Sequence, residues 1–419
     1  MRATRQEFAA YIGIDWADQK HDISLSDSTD GKAEYARISS TPEALSEWLT
    51  QIRQRFPEGK IAVSLEQSRG ALIYHLMLYD FIVLYPVNPL TLARYRKAFH
   101  TSGAKDDRPD ADFLRELICV HRKKLRPWYP DDEASRSLAL LAEARRKTVN
   151  DRAKYTNRLQ AVLKTFFPQA LQLTGTNLYD KVSLAFLSKW ERLEDIQRVQ
   201  DKTIRKFYTS LGSRRTQLIN ERLQLIRSAT PLTKDKAIIT SSIITVRMLV
   251  HQLLCLQKSI SEYDLALAEM FEQHPDKDIF SSFPGAGDVL KSRLAAAFGT
   301  DRDRFDKAAN VQEYSGIAPV TKRSGKTSIV HRLLACSKFL LQTFHEFARC
   351  SLKKSVWAKA FYEMQRDKGK GHHTAIRSLA FKWIRIIHRC WRDRVCYDEI
   401  IYLKSLQRNK SPLLKYIAN

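Results

Sequence analysis

Between residues 132 and 275 the chain carries two glycines, Gly175 and Gly212, and that scarcity constrains the fold more than any other feature. Stretches such as LALLAEARRKTVNDRAKYTNRLQAVLKTFF, RRTQLINERLQLIRS and SIITVRMLVHQLLCLQKSISEYDLALAEMF set apolar residues at helical spacing with charges between them. The segment reads as long amphipathic helices, paired as a hairpin or across subunits. An ordinary helical bundle inside one globular domain satisfies the same pattern.

The patterning before this segment is different. Residues 11–16, 21–27 and 34–39 read as short strands, and Ser-Thr-Pro-Glu at 40–43 opens a helix with Thr41 as N-cap and Pro42 at its first position. Two more apolar runs, 61–66 and 81–86, alternate with helices at 70–79 and 90–98. This order predicts an α/β domain. The chain then divides into residues 1–125 (α/β), 126–275 (helical, coiled-coil-like) and 276–419, a mainly α, basic C-terminal domain. A Phe-Pro-Gly-Ala-Gly turn at 283–287 resembles a helix-hairpin-helix element, whose amides hold phosphate.

Charge points to the partner. Lysine and arginine number 70 against 46 aspartates and glutamates, a net +24. Residues 1–118 hold 15 basic and 17 acidic side chains, whereas residues 321–419 hold 22 and 6. A polyanion such as nucleic acid suits this surplus. It also suits an enzyme whose acidic region holds metal while other parts grip phosphates. In the basic stretch FKWIRIIHRCWRDR, Trp383 and Trp391 are candidates to stack on unpaired bases, with core packing the competing role. The six cysteines have no CxxC spacing, which argues against structural zinc and a disulfide scaffold. No apolar run is read as a membrane span, and the expected location is the cytoplasm.

Four carboxylates stand where metal chemistry wants them. Asp15 ends one strand, Glu66 ends another, and Asp107 and Asp110 flank a helix start at Pro109, with Asp107 just outside the helix and Asp110 in its first turn. Their hard oxygens suit Mg²⁺ or Mn²⁺, and two such ions ~3.5–4 Å apart activate a nucleophile and stabilise a leaving oxygen. Taken singly, Asp106, Asp107 and Asp110 read better as complements to the helix dipole; the four acids together in an α/β context favour metal ligation.

Gly-Ile-Asp-Trp at 13–16, Glu66 after its apolar strand and Lys-x-Asp-x-x-Asp-Ala at 105–111 resemble the DEDD-class transposases of the IS-one-ten group of insertion sequences. The first half of that family is similar to the RuvC junction resolvase, an RNase H-like fold. The resemblance implies that Asp15, Glu66, Asp107 and Asp110 bind a divalent metal. Asp106 stands where the family commonly has Thr, which leaves Asp106 beside Asp107 as the alternative third ligand.

FPGAG at 283–287 and RFDKAANVQEYSGIAPVTKRSGKTS at 304–328 resemble the family's second domain, in which a Ser-Gly after a Gly-x-x-Pro turn supplies a nucleophile. The pattern falls on Ser324-Gly325, after Gly316–Pro319. Ser315-Gly316 lies in the preceding segment and is taken as structural. A serine hydroxyl needs its proton removed before it attacks, and Lys322, Arg323 and Lys326 would hold the scissile phosphate. From spacing alone Arg-Ser-Gly-Lys is an exposed turn. The segment 330–339 departs from the family pattern, so no roles pass to His331, Cys336 or Lys338, and His372-His373 reads as a polar loop.

The resemblance implies a DNA transposase or recombinase guided by a structured RNA, acting as a dimer or tetramer with sites shared between subunits. The alternatives are a junction-resolving nuclease that uses water in place of Ser324, and a nucleic-acid-binding protein without catalysis.

Overall fold

The computed structural model describes residues 8–27, 31–66, 70–99, 107–175, 177–325, 327–333 and 336–417, with the side chains of 107–109, 328 and 332 outside the description. The chain forms two compact units, residues 1–130 and 131–419.

The first unit is built on five strands: β1 (Ala10–Asp15), β2 (Lys20–Ser26), β3 (Glu34–Ser39), β4 (Ile61–Leu65) and β5 (Ile82–Pro86). Their spatial order is β3-β2-β1-β4-β5. β1, β2 and β3 pair antiparallel, while β4 pairs parallel to both β1 and β5. The predicted strands are all present, shifted by a residue at some ends. α1 (Pro42–Arg55) starts as its sequence requires, with Thr41 Oγ1 accepting from the Ala44 amide at 3.4 Å.

Strand alternation divides the core in two. Ile12, Ile14, Ile23 and Leu25 face one side, packing with Leu45, Trp48, Leu49 and Ile52 of α1 and with α2 (Ala71–Leu76). Gly13, Ser24 and Ser26 face the other, where α4 (Asp107–His121) lies and Ser24 donates to Asp112 at 2.8 Å. α3 (Pro89–Phe99) packs against α4 through Leu92 and Tyr95.

The second unit is mostly helical. α5 (Glu133–Phe166) and α11 (Lys236–Glu272) run antiparallel along one another, tied by an Arg145–Asp264 ion pair and by Arg152 donating to Gln257 at 2.7 Å. The two long helices thus pair with each other within the chain. Five helices between Ala170 and Ser228, α6 to α10, cap one end around Phe167, Phe186, Trp190 and Tyr208. The sequence reading missed one property of α11: it is long and apolar enough to cross a membrane by length and composition, with 28% of its most apolar window buried.

The remaining elements are α12 (Lys277–Ser281), α13 (Asp288–Phe298), α14 (Ala308–Tyr314), a hairpin of β6 (Pro319–Ser324) and β7 (Thr327–Arg332), α15 (Lys338–Ser351), α16 (Val356–Asp367), α17 (His372–Asp393), α18 (Glu399–Arg408) and α19 (Leu414–Ile417). Trp357, Trp383 and Trp391 sit at their centre with no exposure. This corrects the stacking role offered for Trp383 and Trp391. Their indoles donate inward, to Ser351 at 2.8 Å and to the Gly299 carbonyl at 2.7 Å. His372 and His373 also differ from expectation. They form the first turn of α17 after Gly371 as N-cap, and Tyr362 lies 2.9 Å from His372 Nδ1.

Candidate active site

In the first unit, strand register sets two of the candidate acids side by side. Ile14 pairs with Leu65 on the parallel neighbours β1 and β4, so Asp15 and Glu66 follow at the same C-terminal edge of the sheet. The helix bearing Asp110 is brought there by a glycine. A Cβ built on Gly13 would lie 1.9 Å from the Ala111 carbonyl oxygen and 2.5 Å from the Arg115 nitrogen. Only a residue without a side chain lets α4 approach β1 so closely. Asp110 precedes Ala111 and is thereby set beside the strand ends.

Electrostatics agree with that placement. Burial raises the pKa of the Glu66 carboxyl, the negative charge of Asp110 raises it further, and Arg96 opposes both. Arg96, on α3, places Nη1 3.2 Å from Asp110 Oδ2. The sequence reading did not single out Gly13 or Arg96. A glycine inside an apolar strand was a legible signal of close backbone approach, whereas nothing local marked Arg96.

Asp107 is the first residue of α4 rather than lying outside the helix. Its side chain, and all of Asp106, lie outside the described residues. Among the described residues no three carboxylates, imidazoles or thiols converge as a metal site. The donors present still fit Mg²⁺ or Mn²⁺. Glu66 and Asp110 are near enough to repel, a divalent ion relieves that repulsion, and Mg²⁺ commonly takes one or two carboxylates and keeps waters.

In the second unit, β6 and β7 pair from Pro319 with Arg332 to Ser324 with Thr327, with Gly325 following β6 at the turn. Gly325 has φ of 54°, the left-handed geometry that two-residue hairpins need. Ser324 is thus the last residue of an exposed strand, with Lys322 and Arg323 also exposed. Alternation puts Lys322 on the face of Ser324 and Arg323 on the other. Lys326 lies outside the described residues. Ser315, by contrast, is buried and donates to the Gln312 carbonyl at 3.2 Å. The Phe-Pro-Gly-Ala-Gly turn is explained by packing: a Cβ on Gly285 would lie 2.7 Å from the Cys350 carbonyl oxygen.

Comparison with known proteins bears on both units. Residues 12–168 match the family model of the IS110 DEDD transposases, described as "Transposase", and residues 277–363 match the "Transposase IS116/IS110/IS902 family". The chain belongs to the IS110 group of insertion-sequence transposases. A relative in Streptomyces coelicolor, "Mini-circle putative transposase for IS117", is 29% identical over 97% of this chain and 98% of its own length. "Insertion element IS116 uncharacterized 44.8 kDa protein" of Streptomyces clavuligerus is 24% identical over 92% and 95%. The IS900 protein of Mycobacterium paratuberculosis is 21% identical over 92% and 96%. This IS110-group chain therefore acts as a transposase on DNA.

Proposed function

We propose that this transposase cuts and rejoins DNA strands through a divalent metal held by Asp15, Glu66, Asp107 and Asp110 and a nucleophilic Ser324. The observation that carries the reading is that the β1–β4 register sets Asp15 and Glu66 at one sheet edge, while the Gly13–Ala111 contact brings Asp110 near enough for its charge to act on Glu66. Acids held by backbone geometry meet the positioning demand of phosphoryl transfer. The three antiparallel strands followed by two parallel ones support an RNase H-like, RuvC-like fold for the first unit.

When bound, Mg²⁺ or Mn²⁺ would withdraw charge from the phosphate and lower the barrier to losing its leaving oxygen. The Ser324 hydroxyl gives up its proton as its oxygen bonds to phosphorus. The P–O3′ bond breaks, and the departing 3′ oxygen takes a proton. A 5′-phosphoserine results, which the 3′ hydroxyl of a new strand attacks, breaking the P–Oγ bond and restoring the serine. Lys322 shares the face of Ser324 and would neutralise charge on the phosphate oxygens, with Arg323 and Lys326 holding flanking phosphates.

A structured guide RNA, and a dimer or tetramer in which one subunit's acids serve another's serine, follow from the resemblance. Self-association is supported by exposed Ile244, Leu254 and Leu265 on α11. The place of action would be the cytoplasm.

The test is strand transfer by the whole protein, supplied with DNA and the RNA encoded beside its gene. Wild type should recombine with Mg²⁺ or Mn²⁺ and stop with chelator. Asp110→Ala should lose recombination by at least about 10³-fold while still binding DNA, because the binding charge lies elsewhere. Normal recombination by Asp110→Ala would refute the metal site.

A further inference from the structure

On the sheet face that carries α4, three polar residues stand in one row across the strands. Asp15 of β1 pairs with Asp22 of β2, and Asp22 pairs with Arg37 of β3. Arg37 Nε donates to Asp22 Oδ1 at 2.7 Å, which fixes the guanidinium. Two residues before Arg37, on the same face, Tyr35 is 52% exposed. A notch of about 180 Å³ opens there, lined by Asp22, Ile23, Tyr35, Ala36, Arg37 and Ala111. Ala111 is also the residue against which Gly13 packs. The notch and the acids therefore share the start of α4.

We propose that this notch is a base-binding slot, taking one unpaired nucleobase of the strand whose phosphate reacts at the acids, between the Tyr35 ring and the Arg37 guanidinium. The inference rests on the DNA-processing reading above and extends it to a subsite.

Spacing is the first argument. Residues i and i+2 of a strand stand about 6.8 Å apart, twice the ~3.4 Å rise between stacked bases. A flat ring fits between Tyr35 and Arg37 as the middle of three layers. Charge is the second. Asp22 neutralises Arg37, so the slot is poor at holding a phosphate and good at offering two flat faces to a base. Position is the third. Arg37 is two interstrand steps, about 10 Å, from Asp15, within reach of a nucleotide neighbouring the one that reacts. β3 is also the sheet's edge strand, with Glu34 to Arg37 exposed, so a strand approaches from solvent without displacing protein.

Stacking on an aromatic side chain is sequence-tolerant. Such a slot would splay a base and hold the strand in register while the guide RNA supplies sequence choice.

The experiment uses the full chain with Mg²⁺ and single-stranded oligonucleotides that each carry one 2-aminopurine, whose fluorescence falls on stacking. Wild type should quench one probe position saturably. Tyr35→Ala should lose that quench and bind about 10-fold more weakly, with its thermal midpoint unchanged because the ring is half exposed. Tyr35→Phe should behave as wild type, and Arg37→Leu should lose part of the quench. Wild-type quench and affinity in Tyr35→Ala would overturn the slot, as would a Tyr35→Phe protein as defective as Tyr35→Ala. A wild-type protein that processes DNA but is indifferent to Tyr35→Ala confines the failure to the slot. One that neither binds nor processes DNA removes the underlying reading as well.

Discussion

The acid-bearing edge of the first unit and the serine-bearing hairpin of the second are built in opposite ways. Asp15, Glu66 and Asp110 sit on elements packed from both sides of a five-stranded sheet; backbone register sets the first two at one edge, and one glycine lets the helix bearing the third approach. Ser324 stands at the end of a ribbon whose two strands, among the described residues, pair with each other alone, and Lys322, Arg323 and Gly325 beside it are exposed. A two-stranded hairpin is marginal by itself. In the proposed chemistry the acids would be held in place by the sheet before substrate arrives, whereas the serine would need substrate, or another chain, to fix it. One site would lose function through misplacement of a rigid frame, the other through loss of a single oxygen.

The largest effect that would break this contrast is at Gly13. Gly13→Ala must push α4 away from β1, because the new methyl would meet backbone atoms that cannot rotate aside. The expected cost is about 3 kcal/mol or more, read by denaturant unfolding, together with loss of metal-dependent activity. A Gly13→Ala protein with wild-type stability would mean that the frame is not rigid at this contact. Gly325→Ala, in the open turn of the ribbon, should cost about 1 kcal/mol through its positive φ alone.

A smaller effect is expected at Arg96. Its guanidinium lies on Asp110 and offsets the charge of the acid pair, so it would compete with a metal ion bound there. Arg96→Gln should tighten Mn²⁺ binding several-fold by calorimetry and lower the stability of the metal-free protein. Unchanged affinity would show that Arg96 does not share the metal position.

The pH dependence follows from Glu66. Its folded carboxyl holds a proton above the ordinary value of 4.5, so the folded state binds protons more readily than the unfolded one. Metal-free protein should lose this contribution as pH rises through the raised value. Metal requires the ionised carboxylate, so Mn²⁺ affinity should fall on acidification from a higher pH than an unperturbed glutamate would give. Glu66→Gln should abolish both dependences.

Much of the first unit was legible in the sequence because strand alternation and the Thr41-Pro42 cap are local signals. The candidate acids stood out because Asp15 and Glu66 close apolar strands and Asp110 stands where a helix begins. Arg96, and the row from Asp15 through Asp22 to Arg37, were not, since they depend on pairings between distant segments. In the second unit, the basic composition of residues 381–394 masked an apolar stripe. Ala380, Trp383, Ile384, Ile387 and Trp391 recur at helical spacing and are buried. The glycines of Gly-Lys-Gly at 369–371 suggested a loop, yet Gly371 caps a 22-residue helix.

The proposed serine chemistry is tested most directly by a covalent adduct. Protein, Mg²⁺, guide RNA and end-labelled DNA are incubated and denatured, and label migrating with protein is measured and mapped. Wild type should carry the DNA on Ser324. Ser324→Ala should lose adduct and strand exchange yet keep fold and binding, and Ser315→Ala should retain the adduct. An active Ser324→Ala protein, or recombination with no adduct in wild type, would contradict the account and leave a metal-dependent nuclease that uses water.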